Sequence, residues 1–129
     1  PFPDATFDIV FSNFVIHYFE DSRLPFSEIS RVLKSGGYFV GTYNITDVVK
    51  GYEHLYNTNM PIRLGKKEEN VIVQNLIKSR EEIAHSIRQA GLIVLKEKAI
   101  DHPHAIVDES YEHINQITKN VVLTIAQKI

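Results

Sequence analysis

The apolar positions of this chain change rhythm several times, and each change marks an element. FDIVFSNF (Phe7 to Phe14) is a short, nearly continuous apolar run behind polar PFPDAT. Such a run predicts a strand buried on both faces, as parallel sheets require. VIHYFED forms a connection, after which Asp21 or Ser22 can N-cap a helix that tolerates Pro25 in its first turn. Phe26, Ile29 and Leu33, with Val32 beside them, make one apolar face at helical spacing. Lys34 suits the C-terminal end of the helix dipole, and Gly36 or Gly37 supplies a left-handed cap. YFVGTYN then reads as a second strand, completing a right-handed strand–helix–strand unit.

From Ile45 to Lys78 the pattern loosens. TDVVKGYEHLY fits an amphipathic helix capped by Thr46, although Gly51 in its middle costs about 1 kcal/mol relative to alanine. MPIRLGKKEENVIVQNLI predicts two extended arms around a polar GKKEEN turn. Regularity returns at SREEIAHSIRQAGL, where Ser79 and Glu82 have capping-box spacing. Ile83, Ile87 and Ala90 form the buried stripe of that helix, and Gly91 ends it. LIVLKEKAI is a third strand and NVVLTIAQKI a fourth. Between them Val107, Tyr111, Ile114 and Ile117 stand at helical spacing.

Composition narrows the class without naming a function. At 129 residues, with 43% hydrophobic and 23% charged positions, the chain is a single globular domain able to bury a core. A net charge of −2 gives no electrostatic footprint for nucleic acid or an anionic membrane. The absence of cysteine excludes disulfides, thiolate catalysis and Cys-ligated zinc, and fits a reducing, cytoplasmic interior. No apolar run approaches the roughly 20 residues of a membrane span. The abrupt opening at Pro1, without Met, leads us to expect a fragment trimmed at its N-terminus.

PFPDATFDIVFSNFVIHYFEDSRLPFSEISRVLKSGGYFVGTYN resembles class I S-adenosylmethionine-dependent methyltransferases, the large group acting mostly on small molecules. Their pattern is an LPF-D-FD-V approach to the fourth sheet strand, a loop often bearing His, and a helix ending in RVLKPGG before a fifth strand. Here those elements read PFPDATFDIV, SNFVIHYFED and RVLKSGGYFV, with Ser35 in place of the usual proline. The helix SREEIAHSIRQAGL and its following strand extend the likeness.

The resemblance implies an α/β fold. It is a partial Rossmann-like methyltransferase sheet made of the family's last four strands, mostly parallel with a final antiparallel strand, flanked by helices. It also implies S-adenosyl-L-methionine as cofactor and methyl transfer to a small-molecule acceptor in the parent protein. Residues 1–129 would be the C-terminal half of that domain, with 45–78 a substrate-side insertion or lid. The family's glycine-rich loop, and the acidic residues that contact the nucleoside, have no counterpart in this sequence. The fragment alone is therefore expected to be inactive. FDIVFSNF would then form a free sheet edge, which invites pairing with another chain and a possible homodimer. The alternative function is a non-catalytic half-sheet that uses this edge for interaction.

In an open α/β sheet, ligands sit beyond the carboxyl ends of the strands. That rule places Ser12, Asn13, Phe14 and His17 at the working rim after the first strand, and Tyr43 and Asn44 after the second. By resemblance, Ser12 and Asn13 lie where the family contacts the methionyl part of its cofactor, and the plainer alternative is that they terminate a strand; Phe14 is a candidate to flank that cofactor or, alternatively, a core aromatic. His17 is a candidate general base by its unperturbed pKa near 6.5, or a histidine packing a turn. Tyr18, Tyr43 and Asn44 are candidate walls for the substrate. His102 and His104 lack a convincing third ligand, so no metal site is expected.

Overall fold

A computed structural model describes residues 1–45, 58–63, 70–75, 78–100 and 121–129. Its main sheet has four strands: β1 (Phe7–Asn13), β2 (Leu33–Asn44), β5 (Leu92–Ile100) and β6 (Val121–Lys128). They lie in the order β1-β2-β6-β5. β1 and β2 are parallel, and β6 runs antiparallel to both β2 and β5. Three strands thus share one direction and the last is reversed, the arrangement the resemblance implied. Helices α1 (Arg23–Val32) and α2 (Arg80–Gln89) pack on one face. The two extended arms pair antiparallel as β3 (Thr58–Arg63) and β4 (Asn70–Asn75), with Thr58 opposite Asn75 and Arg63 opposite Asn70. The helices expected within TDVVKGYEHLY and around Val107 to Ile117 lie outside the described residues, as do the GKKEEN turn, His102 and His104. Among the described residues no helix is long and apolar enough to cross a membrane.

The core forms where α1 and α2 meet the sheet, around Phe26, Leu33, Phe39, Ile87 and Ala126. The rings of Phe26 and Phe39 stand 5.5 Å apart at 87°, an edge-to-face pair worth about 0.5–1.5 kcal/mol beyond its buried area. Gly41 makes room for this pair, because a Cβ there would lie 2.2 Å from the Phe39 ring. The two helices are also joined by a 2.7 Å bond between the buried hydroxyls of Ser22 and Ser86.

Three local expectations change. First, β1 is not buried on both faces: it is an outer strand, with Ile9 62% and Phe11 65% exposed. Among the described residues only β2 flanks it, and it is Val10 that packs against the core under the helices. Second, α1 stops at Val32 with Leu33 already extended (φ −73°, ψ 137°), so neither glycine caps it. Phe7 faces Leu33 and Ile9 faces Tyr38, so two steps along β1 match five along β2. Gly36 (φ +79°) turns this bulge, and a Cβ on Gly37 would sit 2.9 Å from the Lys34 carbonyl oxygen and 3.0 Å from that of Asp8. Third, of the two cap candidates at the start of α1 only Asp21 bonds a helix-start N–H, and at its end another lysine stands in for Lys34. Ser22 makes no side-chain cap, while the Asp21 carboxylate accepts the Arg23 backbone N–H at 2.9 Å. Lys34 pairs with Asp8 at 3.0 Å, and Lys128 instead donates to the helix-end carbonyls of Ser30 (2.6 Å) and Leu33 (2.8 Å).

The start of α2 follows its sequence. The Glu82 N–H donates to Ser79 Oγ at 3.2 Å, and the Ser79 N–H donates to the Glu82 carboxylate at 2.9 Å. This reciprocal pair satisfies two helix-end donors. Gly91 (φ +76°) follows the last turn.

Candidate functional site

Parallel β1 and β2 end side by side, and the chain must leave both at the same rim. Phe14 leaves β1 through a left-handed backbone (φ +55°), a conformation that costs a bulky side chain energy and persists only when its surroundings enforce it. The enforcement is visible: the Phe14 N–H donates to the Thr42 carbonyl at 2.9 Å, and the Thr42 hydroxyl donates to Asn13 Oδ1. Ser12 and Asn13, half-buried and exposed respectively, thus end β1 against the end of β2.

A 3₁₀ turn over Ile16–Tyr18 follows. Ile16 is 2% and His17 4% exposed, so this turn is pinned down through side chains rather than left as a free loop. The His17 ring lies 6.3 Å from that of Phe14 and 4.3 Å from that of Tyr18. Its Nδ1 is buried and has no hydrogen-bond partner among the described residues. Burial, and secondarily the Lys78 ammonium, lower its pKa from 6.5 to about 4. A general base works best with a pKa near the operating pH. His17 as placed is neutral but weakly basic, and desolvation is the reason.

Tyr43 departs from its expected place as a wall. It is 1% exposed, and its hydroxyl lies 2.6 Å from that of Thr124, also buried. Its ring belongs to the core, and burial raises its pKa. Asn44 is described by its backbone, which ends the β2–β6 ladder opposite Val121. Tyr18 does stand open at the rim, with Val15 and Phe19 nearby and all three at least two-fifths exposed.

Sequence reasoning missed Lys78. A bridge between Ile45 and Lys78 returns the chain to the rim, and the Lys78 ammonium donates to the Phe19 carbonyl. Burial lowers its pKa, while Glu82, Asp21 and Glu20 oppose that shift. Beyond it lies a cleft of about 580 Å³ between the starts of α1 and α2, lined by Phe19–Leu24 together with Lys78, Glu82, His85 and Ser86. His17 does not line it. No sequence signal distinguishes a lysine that precedes a helix cap from a solvated one, so only the fold reveals this position. Among the described residues no cluster of His, Cys, Asp or Glu could hold a metal ion.

A sequence model described as a methyltransferase domain matches residues 1–41, the stretch from the N-terminus through β1, the rim turn and α1 into β2. Over 40 residues the chain is 45% identical to the uncharacterized methyltransferase YcgJ of Bacillus subtilis (strain 168), covering 31% of this chain and 16% of that protein. Among solved structures, it is similar to a geranyl diphosphate C-methyltransferase from Streptomyces coelicolor A3(2), solved with Mg2+, geranyl diphosphate and S-adenosyl-L-homocysteine. The TM-score is 0.74 at 18% identity, covering 100% of this chain and 49% of that one. It is also similar to the [4+2]-cyclase SpnF, with a TM-score of 0.59 at 17% identity over 99% of this chain and 52% of that one. The chain therefore spans about half the length of these solved structures.

Proposed function

We propose, from the premise that this chain carries the fold and a sequence segment of class I S-adenosylmethionine-dependent methyltransferases, that it supplies the acceptor side of a domain that methylates a small molecule. The observation that carries this reading is the coincidence of two independent features. The family's sequence segment, residues 1–41, ends its strand at the carboxyl rim where an open α/β sheet binds ligands.

The fit of the cofactor is partial. Ser12 and Asn13 offer a hydroxyl and an amide at the rim, suited to the amino and carboxylate groups of a methionyl moiety, and Phe14 could flank it. No glycine-rich turn among the described residues faces that rim: Gly36 and Gly37 lie at the opposite, amino end of β2. The nucleoside would need other residues. When bound, S-adenosyl-L-methionine supplies a methyl group already activated on sulfonium.

What the chain's own residues then contribute is placement. The left-handed Phe14 and the buried Ile16 and His17 fix the rim turn, and alignment is the main lever for such a transfer. His17 is assigned to holding this turn rather than to taking a proton. Tyr18 and Phe19 give the acceptor an apolar wall. The similar SpnF is described as a cyclase, so the fold does not by itself set the reaction.

Calorimetry with S-adenosylhomocysteine, on this chain and on the longest natural form of the protein containing it, tests the reading. Binding that strengthens in the form supplying a glycine-rich loop supports it, and binding by neither form refutes it. Loss of turnover in His17→Ala together with full turnover in His17→Phe would support a positioning role. Equal loss in both would restore the proton-acceptor role.

A further inference from the structure

The rim turn is tied at both ends to the end of β2. At its entrance the Phe14 N–H donates to the Thr42 carbonyl at 2.9 Å. At its exit the tie runs through one side chain. Ile45, the residue after β2, bridges to Lys78, and the Lys78 ammonium donates to the carbonyl of Phe19, the residue that caps the 3₁₀ turn. Both ties are made within this chain, whatever else packs on the sheet.

The exit tie fixes a direction as well as a place. The Phe19 N–H donates to the Ile16 carbonyl at 3.2 Å, and the Tyr18 N–H to that of Val15 at 3.0 Å. With its carbonyl taken by Lys78, Phe19 has both backbone polar groups bound, which holds its backbone angles at φ −85° and ψ 132°. Side-chain rotamers depend on those angles, so the direction in which the Phe19 ring leaves the chain is set as well.

We propose that Lys78 is a positioning residue for the acceptor: acting through the Phe19 carbonyl, it fixes the exit of the rim turn and with it the wall that Tyr18 and Phe19 form. The inference rests on the reading of that wall as the acceptor side. Lysine is a costly choice for a space-filling role. Lys78 is 9% exposed, and burying an ammonium is unfavourable unless it is paired and hydrogen-bonded. A methionine of similar length could fill the space but could not hold a carbonyl. A charged donor makes the stronger bond, roughly twice that of a neutral one, and Glu82, Asp21 and Glu20 favour the charged form against burial. The residue that pays this cost reaches the turn from 59 positions along the chain, and it is also the residue that returns the backbone to the end of β2. One side chain therefore sets the exit of the turn in the frame of the same strand that sets its entrance.

Backbone order parameters from NMR on the full chain test the proposal, because they report the folded state rather than its stability. In Lys78→Met the values at Tyr18 and Phe19 should fall from the rigid value of about 0.85 towards about 0.6, the flexible range. Phe14, held by Thr42, and Ile87 in α2 should stay rigid, and Lys78→Arg should restore Tyr18 and Phe19. A lysine that merely steadied the fold would lower the urea midpoint and leave Tyr18 and Phe19 rigid in Lys78→Met, and that result would overturn the proposal. So would equal loosening at Phe14 and Ile87, or failure of Lys78→Arg to restore the turn. Should Lys78→Met fail to fold, the wild type decides. Lys78 ammonium protons that exchange with solvent much more slowly than those of the exposed Lys96 support the tie, and equal rates overturn it. S-adenosylhomocysteine binding to the longest natural form separates this inference from the function it rests on. Its absence refutes the methyltransferase reading, whereas the order parameters judge Lys78 alone.

Discussion

The most exacting test of the rim is its response to acid. His17 is 4% exposed, and its pKa falls from 6.5 to about 4 on folding. The unfolded chain therefore binds a proton at this position before the folded chain does, and stability is lost as pH falls. The contribution is complete above pH 6.5 and declines through the window down to about 4. At 1.36 kcal/mol per pH unit, the loss is about 2 kcal/mol between pH 7 and 5 and about 3 kcal/mol by pH 4.

Among the described groups with a shifted pKa, the window also sets His17 apart from the carboxylates. Asp21, whose pKa the Arg23 bonds pull down to about 2, and Glu28, lowered from 4.5 by Arg31, begin to matter only below about pH 4.5. Urea unfolding at pH 7, 6 and 5 measures the effect directly. His17→Phe keeps a ring between Phe14 and Tyr18 but cannot titrate, so its stability should stay nearly level across that range. Equal losses in wild type and variant would refute the assignment of a buried, desolvated imidazole. The Nδ1 without a partner strengthens the case, because no hydrogen bond to the charged form offsets its desolvation.

Three further changes probe the scaffold that holds the rim. Gly41→Ala drives a Cβ to 2.2 Å from the Phe39 ring and should cost about 1–3 kcal/mol by overpacking, read as a lower denaturant midpoint at unchanged slope. Tyr43→Phe strands the fully buried Thr124 hydroxyl and should cost about 1–3 kcal/mol, whereas Tyr43→Phe combined with Thr124→Val should recover part of that loss. Ser79→Ala removes the capping box of α2 and should cost about 1 kcal/mol, visible as faster amide exchange in its first turn.

The elements that could be read from sequence were those whose signals are local. Ser79 and Glu82 fix the start of α2 through bonds within one turn, and the period of Ile83 and Ile87 selects the buried face. The resemblance implies the strand directions, mostly parallel with the last reversed, which no local pattern contains; the place of β6 between β2 and β5 comes from the structure. An apolar run reports what a strand can cover, not whether anything lies beside it, so β1 reads from sequence as buried on both faces. The cap of α1 is ambiguous in sequence for a related reason. Gly36 does adopt a left-handed backbone, but whether that turn closes a helix or kinks a strand depends on where β1 sits against β2. At the rim, Tyr43 and Asn44 read alike from sequence because both stand at the carboxyl end of the second strand, yet strand alternation turns Tyr43 toward Thr124 and into the core. Lys78 and the Ser22–Ser86 bond join positions far apart in the chain, and their residue types carry no mark of it.

The position of the glycines also decides what the strand–helix–strand unit can bind. In a sheet that cradles phosphate, the glycine turn follows a strand and opens a helix, so that helix N-terminal N–H groups face the ligand. Here the glycines follow α1 and lie near the start of β2, opposite Asp8 at the beginning of β1. Their backbone is engaged by the bulge, with Gln127 donating to the Gly36 carbonyl at 3.0 Å. The turn that opens α1 is Phe19 to Ser22, where Asp21 already accepts the helix-end N–H of Arg23. A carboxylate fixed at that point repels a phosphate that would compete for the same donor. The unit therefore uses its glycines to bulge β2 against β1, and its carboxyl rim carries no glycine-built phosphate cradle among the described residues.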